Sequence, residues 1–169
     1  MFEEVVLGVD PGTASIGLAA VTRGDGRPAV AWSSTVRTPA GLAAAQRLRA
    51  IHRAVREAIL ANGVGVMAIE RLMWGRNIGS AMEVARASGA IMLAAADAGI
   101  LVEEYAPLEV KMAVTGQGNA TKDAVRRSLT HILGVKDVPV AADAVDAVAV
   151  AVCHLQQSRL RRLTRAARA

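Results

Sequence analysis

The sequence has little cysteine and few aromatic residues. Of its 169 residues one is a cysteine, and only 2% are Phe, Trp or Tyr. A single cysteine excludes an internal disulfide, and the Ala- and Val-rich run around Cys153 predicts a small buried side chain there rather than a nucleophile. The chain must fold on its apolar core alone, and a hydrophobic content of 53% at this length suffices for one domain.

Long apolar runs are also missing. No run reaches the roughly 18 to 20 residues that a membrane-spanning helix needs. Near the N-terminus Glu3 and Glu4 stand where a secretory signal carries positive charge, and Asp10 interrupts the apolar stretch that follows. We therefore expect a soluble intracellular protein.

The net charge of +5 is concentrated at the C-terminus. Five of the 20 Lys and Arg residues, and no acid, lie in residues 158–169, so the rest of the chain is balanced against its 15 acids. We expect a domain over residues 1–157 and an Arg-rich C-terminal tail, flexible or ordered. The tail can serve as an arm that binds phosphates or as a solvated segment that maintains solubility.

The apolar pattern changes from strand-like to helical along the chain. Alternating apolar residues predict strands at 5–9, 16–22, 29–36, 64–69 and 100–105, the first three forming an antiparallel meander. Helical spacing predicts helices at about 48–59, 77–98, 108–114 and 121–133. After the meander, helices and strands alternate, as in an α/β fold.

The predicted helix at 77–98 has small apolar residues on nearly every side. Because one face cannot hide all of this surface, we expect part of the helix to pack on the sheet and part against a second copy of the chain. The small residues expected at that contact are Ser80, Ala81, Ala85, Ser88 and Gly89. The alternative is a helix wholly covered within one monomer.

A Gly-containing segment, GQGNATK, precedes the helix predicted at 121–133. Gly116 and Gly118 before a helix start, with Lys122 following, predict a cradle for a backbone phosphate. Lys111 adds positive charge to the same stretch. The spacing is not that of a Walker A loop.

Four carboxylates lie within apolar runs. Asp10 and Glu70 end two predicted strands, while Asp143 and Asp146 lie in an Ala-rich run. Their separation of three residues puts the last two on one face of a helix but on opposite faces of a strand, and continuous Ala favours the helix. Each acid alone is more readily read as a turn or cap residue.

The four carboxylates together predict a different role. Acids gathered at a core must have raised pKa values or share divalent cations, and ligands that are all oxygen indicate Mg²⁺ or Mn²⁺. Two such ions about 3.5 to 4 Å apart can activate water and stabilise the leaving oxygen of a phosphodiester.

Four motifs carry a resemblance to a known family. The segments LGVDPGTASIG, AIE, VKMAVTGQGNATK and AADAVDAVAVAVCH follow one another over residues 5–157 in the order and spacing of the RuvC family of Holliday junction resolvases, which the chain resembles. The resemblance implies a ribonuclease-H-like fold with a mixed five-stranded sheet flanked by helices. It implies that Asp10, Glu70, Asp143 and Asp146 are metal-binding catalytic carboxylates, and that Lys111 and Lys122 lie near the scissile strand.

The resemblance also implies an activity and partners. The family acts in the bacterial cytoplasm as a homodimer that makes paired nicks in opposing strands of a four-way junction. These nicks leave ligatable 5′-phosphate and 3′-hydroxyl ends, and the family works with the RuvA and RuvB branch-migration proteins in recombination and repair.

The loop after Glu70 departs from the family pattern. Where the family often has a Phe that stacks on an unpaired base, this chain has Met73, with Trp74 beside it and Arg76 two residues on, and we expect these three residues to contact the DNA. Trp74 can stack on a base or anchor the loop by packing. His154 is expected to be structural.

Other functions remain to be weighed. A ribonuclease-H-like nuclease acting on RNA, of the YqgF type, would share the fold and the acids but lack the basic Gly-containing stretch. Sugar-kinase and actin-like ATPases share an Asp-x-Gly-Thr loop but need two such domains. A junction-binding protein without activity is disfavoured because all four carboxylates are present.

Overall fold

The computed structural model describes residues 4–12, 14–24, 26–39, 41–73 and 78–166. Its strands are β1 (Val6–Pro11), β2 (Ser15–Gly24), β3 (Arg27–Arg37), β4 (Val66–Glu70) and β5 (Leu101–Tyr105). Its α-helices are α1 (Ala44–Ala61), α2 (Ile78–Asp97), α3 (Pro107–Thr115), α4 (Lys122–Arg127) and α5 (Ala142–Ala166). A π-helical turn at Ser128–Ile132 follows α4.

The five strands form one mixed sheet in the order β3-β2-β1-β4-β5. The first three pair antiparallel, while β4 is parallel to both β1 and β5. This confirms the predicted meander and the mixed sheet. Since β1 and β4 are parallel, Asp10 and Glu70 lie at the same end of the sheet, where the carboxyl ends of these two strands meet.

Helices cover both faces of the sheet. Leu7, Val9 and their equivalents on neighbouring strands pack against α1 and α2 in one apolar core. On the other face, Val6, Ala68 and their neighbours pack against α3, α4 and α5 in a second core. The period-2 alternation of β1 thus serves two cores, because each strand presents successive side chains to opposite faces.

Helix α5 lies very close to β1 and β2. A Cβ atom on Gly8 would overlap the Ala147 carbonyl oxygen, and one on Gly17 would overlap the carbonyl oxygen of Asp143. Two glycines therefore bring the start of α5 against the sheet, where a larger residue would hold it away.

Several boundaries differ from the sequence predictions. Strand β1 runs through Pro11, which pairs with Ile16, so it ends two residues later than the strand predicted at 5–9. The helix predicted at 121–133 is α-helical only to Arg127, after which the turn widens and the Leu133 N–H donates to the Ser128 carbonyl. The buried Ser128 hydroxyl donates to the Val114 carbonyl at 2.5 Å, tying this wider turn to α3.

Helix α5 continues into the Arg-rich segment. Its backbone remains helical to Ala166, so residues 158–166 extend the helix that begins at Ala142. The predicted division at residue 157 stays a prediction. In the part of the chain that the structure describes, no helix combines the length and apolar character needed to cross a membrane.

Candidate active site

Asp10 and Glu70 lie where β1 and β4 end, on the sheet face that α5 covers. The alternation along each strand puts Val9 and Ile69 into the α1–α2 core and turns the next residue towards α5. Both carboxylates are partly buried. The prediction that each of these acids lies at the end of a strand is confirmed, and the structure adds that the two strands are neighbours.

Helix α5 brings the other two carboxylates, Asp143 and Asp146, to the same end of the sheet. Asp143 and Asp146 lie in its first two turns, as their spacing predicted. The Ser15 hydroxyl donates to Asp143 Oδ2 at 2.6 Å, so the start of β2 fixes this side chain. A carboxylate in the first turn is also stabilised by the helix dipole.

One cleft of about 290 Å³ joins three of the acids with two lysines. It is lined by Asp10, Glu70, Pro107, Val110, Lys111, Lys122, Val125, Asp146 and Ala149. Lys122 Nζ donates to Asp146 Oδ2 at 2.5 Å, and this hydrogen bond is the largest cause of the raised pKa of Lys122. The structure thus brings together five sequence-predicted residues, with Asp143 beside them.

Burial and mutual repulsion change the acidity of the strand carboxylates. Burial, followed by the charge of Asp146, raises the pKa of Asp10 to about 6, against the opposing effect of Lys122. Burial, followed by the charge of Asp10, raises the pKa of Glu70 to about 7. The ionised forms of both groups are poorly compensated, a condition that a bound cation relieves.

The residues of the cleft fit a divalent cation. Every candidate ligand is a carboxylate oxygen, the donor that Mg²⁺ and Mn²⁺ prefer. Within the ranges that the structure describes, no three His, Cys, Asp or Glu side chains are already arranged around a common ion position. Ser15 and Lys122 each donate a hydrogen bond to one α5 carboxylate, Ser15 to Asp143 and Lys122 to Asp146.

The predicted phosphate cradle uses part of its hydrogen-bonding capacity internally. Gly116 ends α3 in a left-handed conformation (φ 73°), and its N–H donates to the Met112 carbonyl. Gly118 packs under Leu108, whose side chain a Cβ at position 118 would meet. Lys122, the first residue of α4, is therefore the main group that this segment offers to a phosphate.

The loop after β4 is described only in part. Met73 is 59% exposed, as a residue that contacts a base would be. Trp74 and Arg76, the other DNA contacts predicted in this loop, lie outside the described residues.

Sequence reasoning missed three residues around the site. The sequence pattern gives no functional signal at Ser15, Pro107 or Tyr105. Only the fold shows that Ser15 holds Asp143, that Pro107 lines the cleft, and that buried Tyr105 hydrogen-bonds to His154 on α5.

Cys153 is fully buried, and burial raises its pKa to about 11, so the prediction of a small buried side chain is confirmed.

A five-stranded sheet in this order, with carboxylates at the ends of its two central parallel strands and on the helix that crosses them, defines a ribonuclease-H-like protein. Residues 6–154 match the model of one family with this fold, Crossover junction endodeoxyribonuclease RuvC. The chain belongs to the RuvC family, whose members are metal-dependent nucleases that resolve Holliday junctions.

Individual relatives agree with this family. The RuvC protein of Moorella thermoacetica is 43% identical over 150 residues, which cover 89% of this chain and 90% of the relative. That of Mycobacterium tuberculosis is 45% identical over 150 residues, covering 88% and 80%. The structure of Thermus thermophilus RuvC in complex with a Holliday junction substrate matches 93% of this chain and 96% of its own, with 33% identity and a TM-score of 0.85.

Proposed function

We propose that Asp10, Glu70, Asp143 and Asp146 hold two Mg²⁺ or Mn²⁺ ions and that the chain uses this centre to nick four-way DNA junctions. The observation that carries the proposal is the cleft in which acids from β1, β4 and α5 meet Lys111 and Lys122. No other function considered from the sequence requires both the acids and the basic residues in one cleft.

The chain's own groups account for substrate binding and orientation. Lys111 and Lys122 supply positive charge at the rim of an otherwise acidic cleft, which offsets the repulsion between the carboxylates and a DNA phosphate. Met73 is exposed beside the site and can contact a base at the junction. When bound, the metal ions supply an activated water and stabilise the leaving 3′-oxygen, which gives 5′-phosphate and 3′-hydroxyl ends.

The proposal extends to assembly. Symmetric cutting of two opposing strands needs two such clefts, so we propose that the chain acts as a homodimer, in the cytoplasm, with RuvA and RuvB. Helix α2 supports this, since it exposes Met82 and Leu93 (48% and 56%) on the side away from the core.

Cleavage of a synthetic four-way junction tests the proposal. Wild type and Asp10→Asn would be compared with Mg²⁺ or Mn²⁺ on the junction, on linear duplex and on an RNA–DNA hybrid. Asn keeps the size of Asp but removes its charge, so cleavage should fall more than about 100-fold while junction binding is kept.

The other substrates decide between the alternatives. Cleavage of the hybrid without the junction would indicate an RNA-directed nuclease and contradict the proposal. Junction binding by wild type with no cutting under either metal would leave a binding protein without activity. Equal cleavage by wild type and Asp10→Asn would show that the acids are not the catalytic groups.

A further inference from the structure

Tyr105 and His154 form a buried polar pair below the catalytic cleft. Their side chains share a hydrogen bond of 2.9 Å between Tyr105 Oη and His154 Nδ1. The two rings meet edge to face, with centroids 5.9 Å apart and planes at 80°. Tyr105 is 2% exposed and His154 is 6% exposed. A hydrogen bond between groups so well shielded from water has a well-defined geometry.

Tyr105 is the strand partner of Glu70. The pairing of β4 with β1 ends at Val9 and Ile69, one residue before Glu70, whereas its pairing with β5 continues to Glu70 and Tyr105. The Arg71 N–H then donates to the Tyr105 carbonyl at 2.8 Å. The pairing with Tyr105 on the edge strand β5 thus fixes the position of the backbone that carries Glu70.

Tyr105 also precedes the basic side of the cleft. Ala106 follows it and caps α3, whose Glu109 accepts a hydrogen bond from the Ala106 N–H at 2.7 Å. Pro107 and Lys111 of α3 then line the cleft. A shift of Tyr105 would therefore move both Glu70 and Lys111.

His154 belongs to the helix that carries the opposing carboxylates. It lies eight residues after Asp146 on α5, on a stretch that is buried from Ala147 to Leu155. The Tyr105–His154 hydrogen bond links β5, where Tyr105 pairs with Glu70, to α5, which carries Asp146. Because a helix is a rigid element, a shift at His154 would also move Asp146.

We propose that Tyr105 and His154 are positioning residues that set the spacing between Glu70 and Asp146, and thereby the affinity of the cleft for its metal ions. The inference rests on the proposed function, because it assumes that these two carboxylates share the metal centre. Neither side chain lines the cleft, so neither is expected to touch the DNA or the ions.

Removal of the tyrosine hydroxyl tests the inference. In Tyr105→Phe the ring remains and the hydrogen bond from the hydroxyl to His154 is lost, so the Mg²⁺ concentration for half-maximal junction cleavage should rise about 3- to 10-fold. Junction affinity, measured in Ca²⁺ or EDTA, should stay within about twofold. Without DNA, the rise in melting temperature on adding Mn²⁺ should be smaller than in wild type at the same concentration.

Three further variants separate positioning from general stability. Ile91→Val removes one buried methyl group from the opposite core and should lower the melting temperature without shifting the Mg²⁺ midpoint. His154→Asn, which keeps a hydrogen-bonding group near the Nδ1 position, should retain more Mg²⁺ affinity than His154→Leu. An Mg²⁺ midpoint in Tyr105→Phe equal to that of wild type, or moved equally by Ile91→Val, would overturn the inference.

The inference and the proposed function fail in different ways. If wild type does not cut the junction, the proposed function fails whatever the Tyr105 variant does. If wild type cuts and binds Mn²⁺ but Tyr105→Phe matches it in both respects, the inference alone fails.

Discussion

Asp10 and Glu70 are held in the folded protein with little to neutralise them. Both are partly buried at the end of a strand, and burial is the largest cause of the raised pKa of each; the charge of Asp10 adds to the rise at Glu70. Lys122 opposes this but donates its hydrogen bond to Asp146 instead. The charge of these two carboxylates is therefore a cost to the metal-free fold, and a gain when a divalent cation binds.

This cost predicts a pH dependence of stability. The folded pKa values of about 6 and about 7 lie above the ordinary values of 3.8 and 4.5, so the native state binds more protons between these limits. The free energy of unfolding of the metal-free protein should therefore fall as pH rises from about 4 to about 7. Urea unfolding in EDTA at pH 4.5, 6 and 7.5 would measure this.

The control is the double variant Asp10→Asn, Glu70→Gln. It removes both titrations while keeping side-chain size, so its stability should fall less over the same pH window. The same decline in wild type and in the double variant would place the titration elsewhere in the protein.

At the scale of elements, helix α5 fixes the carboxylate site through its contact with two glycines. Gly8 and Gly17 leave room for the backbone of α5 at Ala147 and Asp143. Asp143 and Asp146 are thereby brought to the end of the sheet where β1 and β4 carry Asp10 and Glu70.

Gly17→Ala should disturb this contact. The added Cβ would overlap the Asp143 carbonyl oxygen, which is backbone and cannot rotate away. We expect a loss of about 1 to 3 kcal/mol in the free energy of unfolding, as for overpacked cores, together with reduced cleavage. Thermal unfolding measures the first effect and junction cleavage the second.

Gly41→Ala is the matched control, because a Cβ there meets nothing within 4 Å. It should leave both stability and cleavage close to those of wild type. A Gly17→Ala protein as stable as the Gly41→Ala protein would mean that α5 can move away from β2 without cost.

The elements themselves could largely be predicted from the sequence. Five strands, the meander and the helical reading of the Asp143–Asp146 run followed from local periodicity and from the spacing of two charges. Two features could not be predicted in this way. The wider turn after Arg127 contains Ser128, whose hydroxyl donates to the carbonyl of the distant Val114. The extension of α5 to Ala166 also went unpredicted. Likewise, the roles of Ser15 and Tyr105 depend on partners more than 40 residues away.

At the scale of the whole molecule, the two sheet faces carry different surfaces. The α5 face leads to the carboxylate cleft, and on the other face α2 turns Ala87, Ile91 and Ala94 to the core. The opposite side of α2 exposes Met82 and Leu93 together with the small residues Ala85 and Gly89. Ala81 is buried within the monomer, so it does not belong to the predicted contact.

A groove next to Glu70 adds to this exposed side of α2. It is lined by Ile69, Glu70, Arg71, Leu72, Ala85, Ser88, Gly89, Met92 and Glu104. Within the described part of the chain, the buried Ser88 hydroxyl has no hydrogen-bond partner. A second copy seated on α2 would cover the exposed apolar side chains.

Leu93→Glu should prevent this association. A charge at the centre of the proposed apolar contact between copies would be desolvated without a partner, so the variant should sediment as a monomer where wild type is expected to sediment as a dimer. Its junction products should be single, uncoordinated nicks rather than paired ones. Analytical ultracentrifugation and denaturing gels of a junction labelled on two strands measure the two effects.

Ile132→Glu is the control, since Ile132 is 76% exposed on the opposite side of the sheet. It should remain a dimer. A Leu93→Glu protein that is still dimeric would move the contact between copies away from α2.

The close approach of α5 to β1 and β2 also has a consequence for how activity is lost on heating. Where peptide groups of helix and strand meet directly, no layer of side chains can change rotamer and let the acids drift apart gradually. The spacing of the carboxylates then persists as long as this packed unit remains closed. Heat inactivation should accordingly follow the cooperative opening of the domain, with no warm state that is folded but has a loosened metal centre.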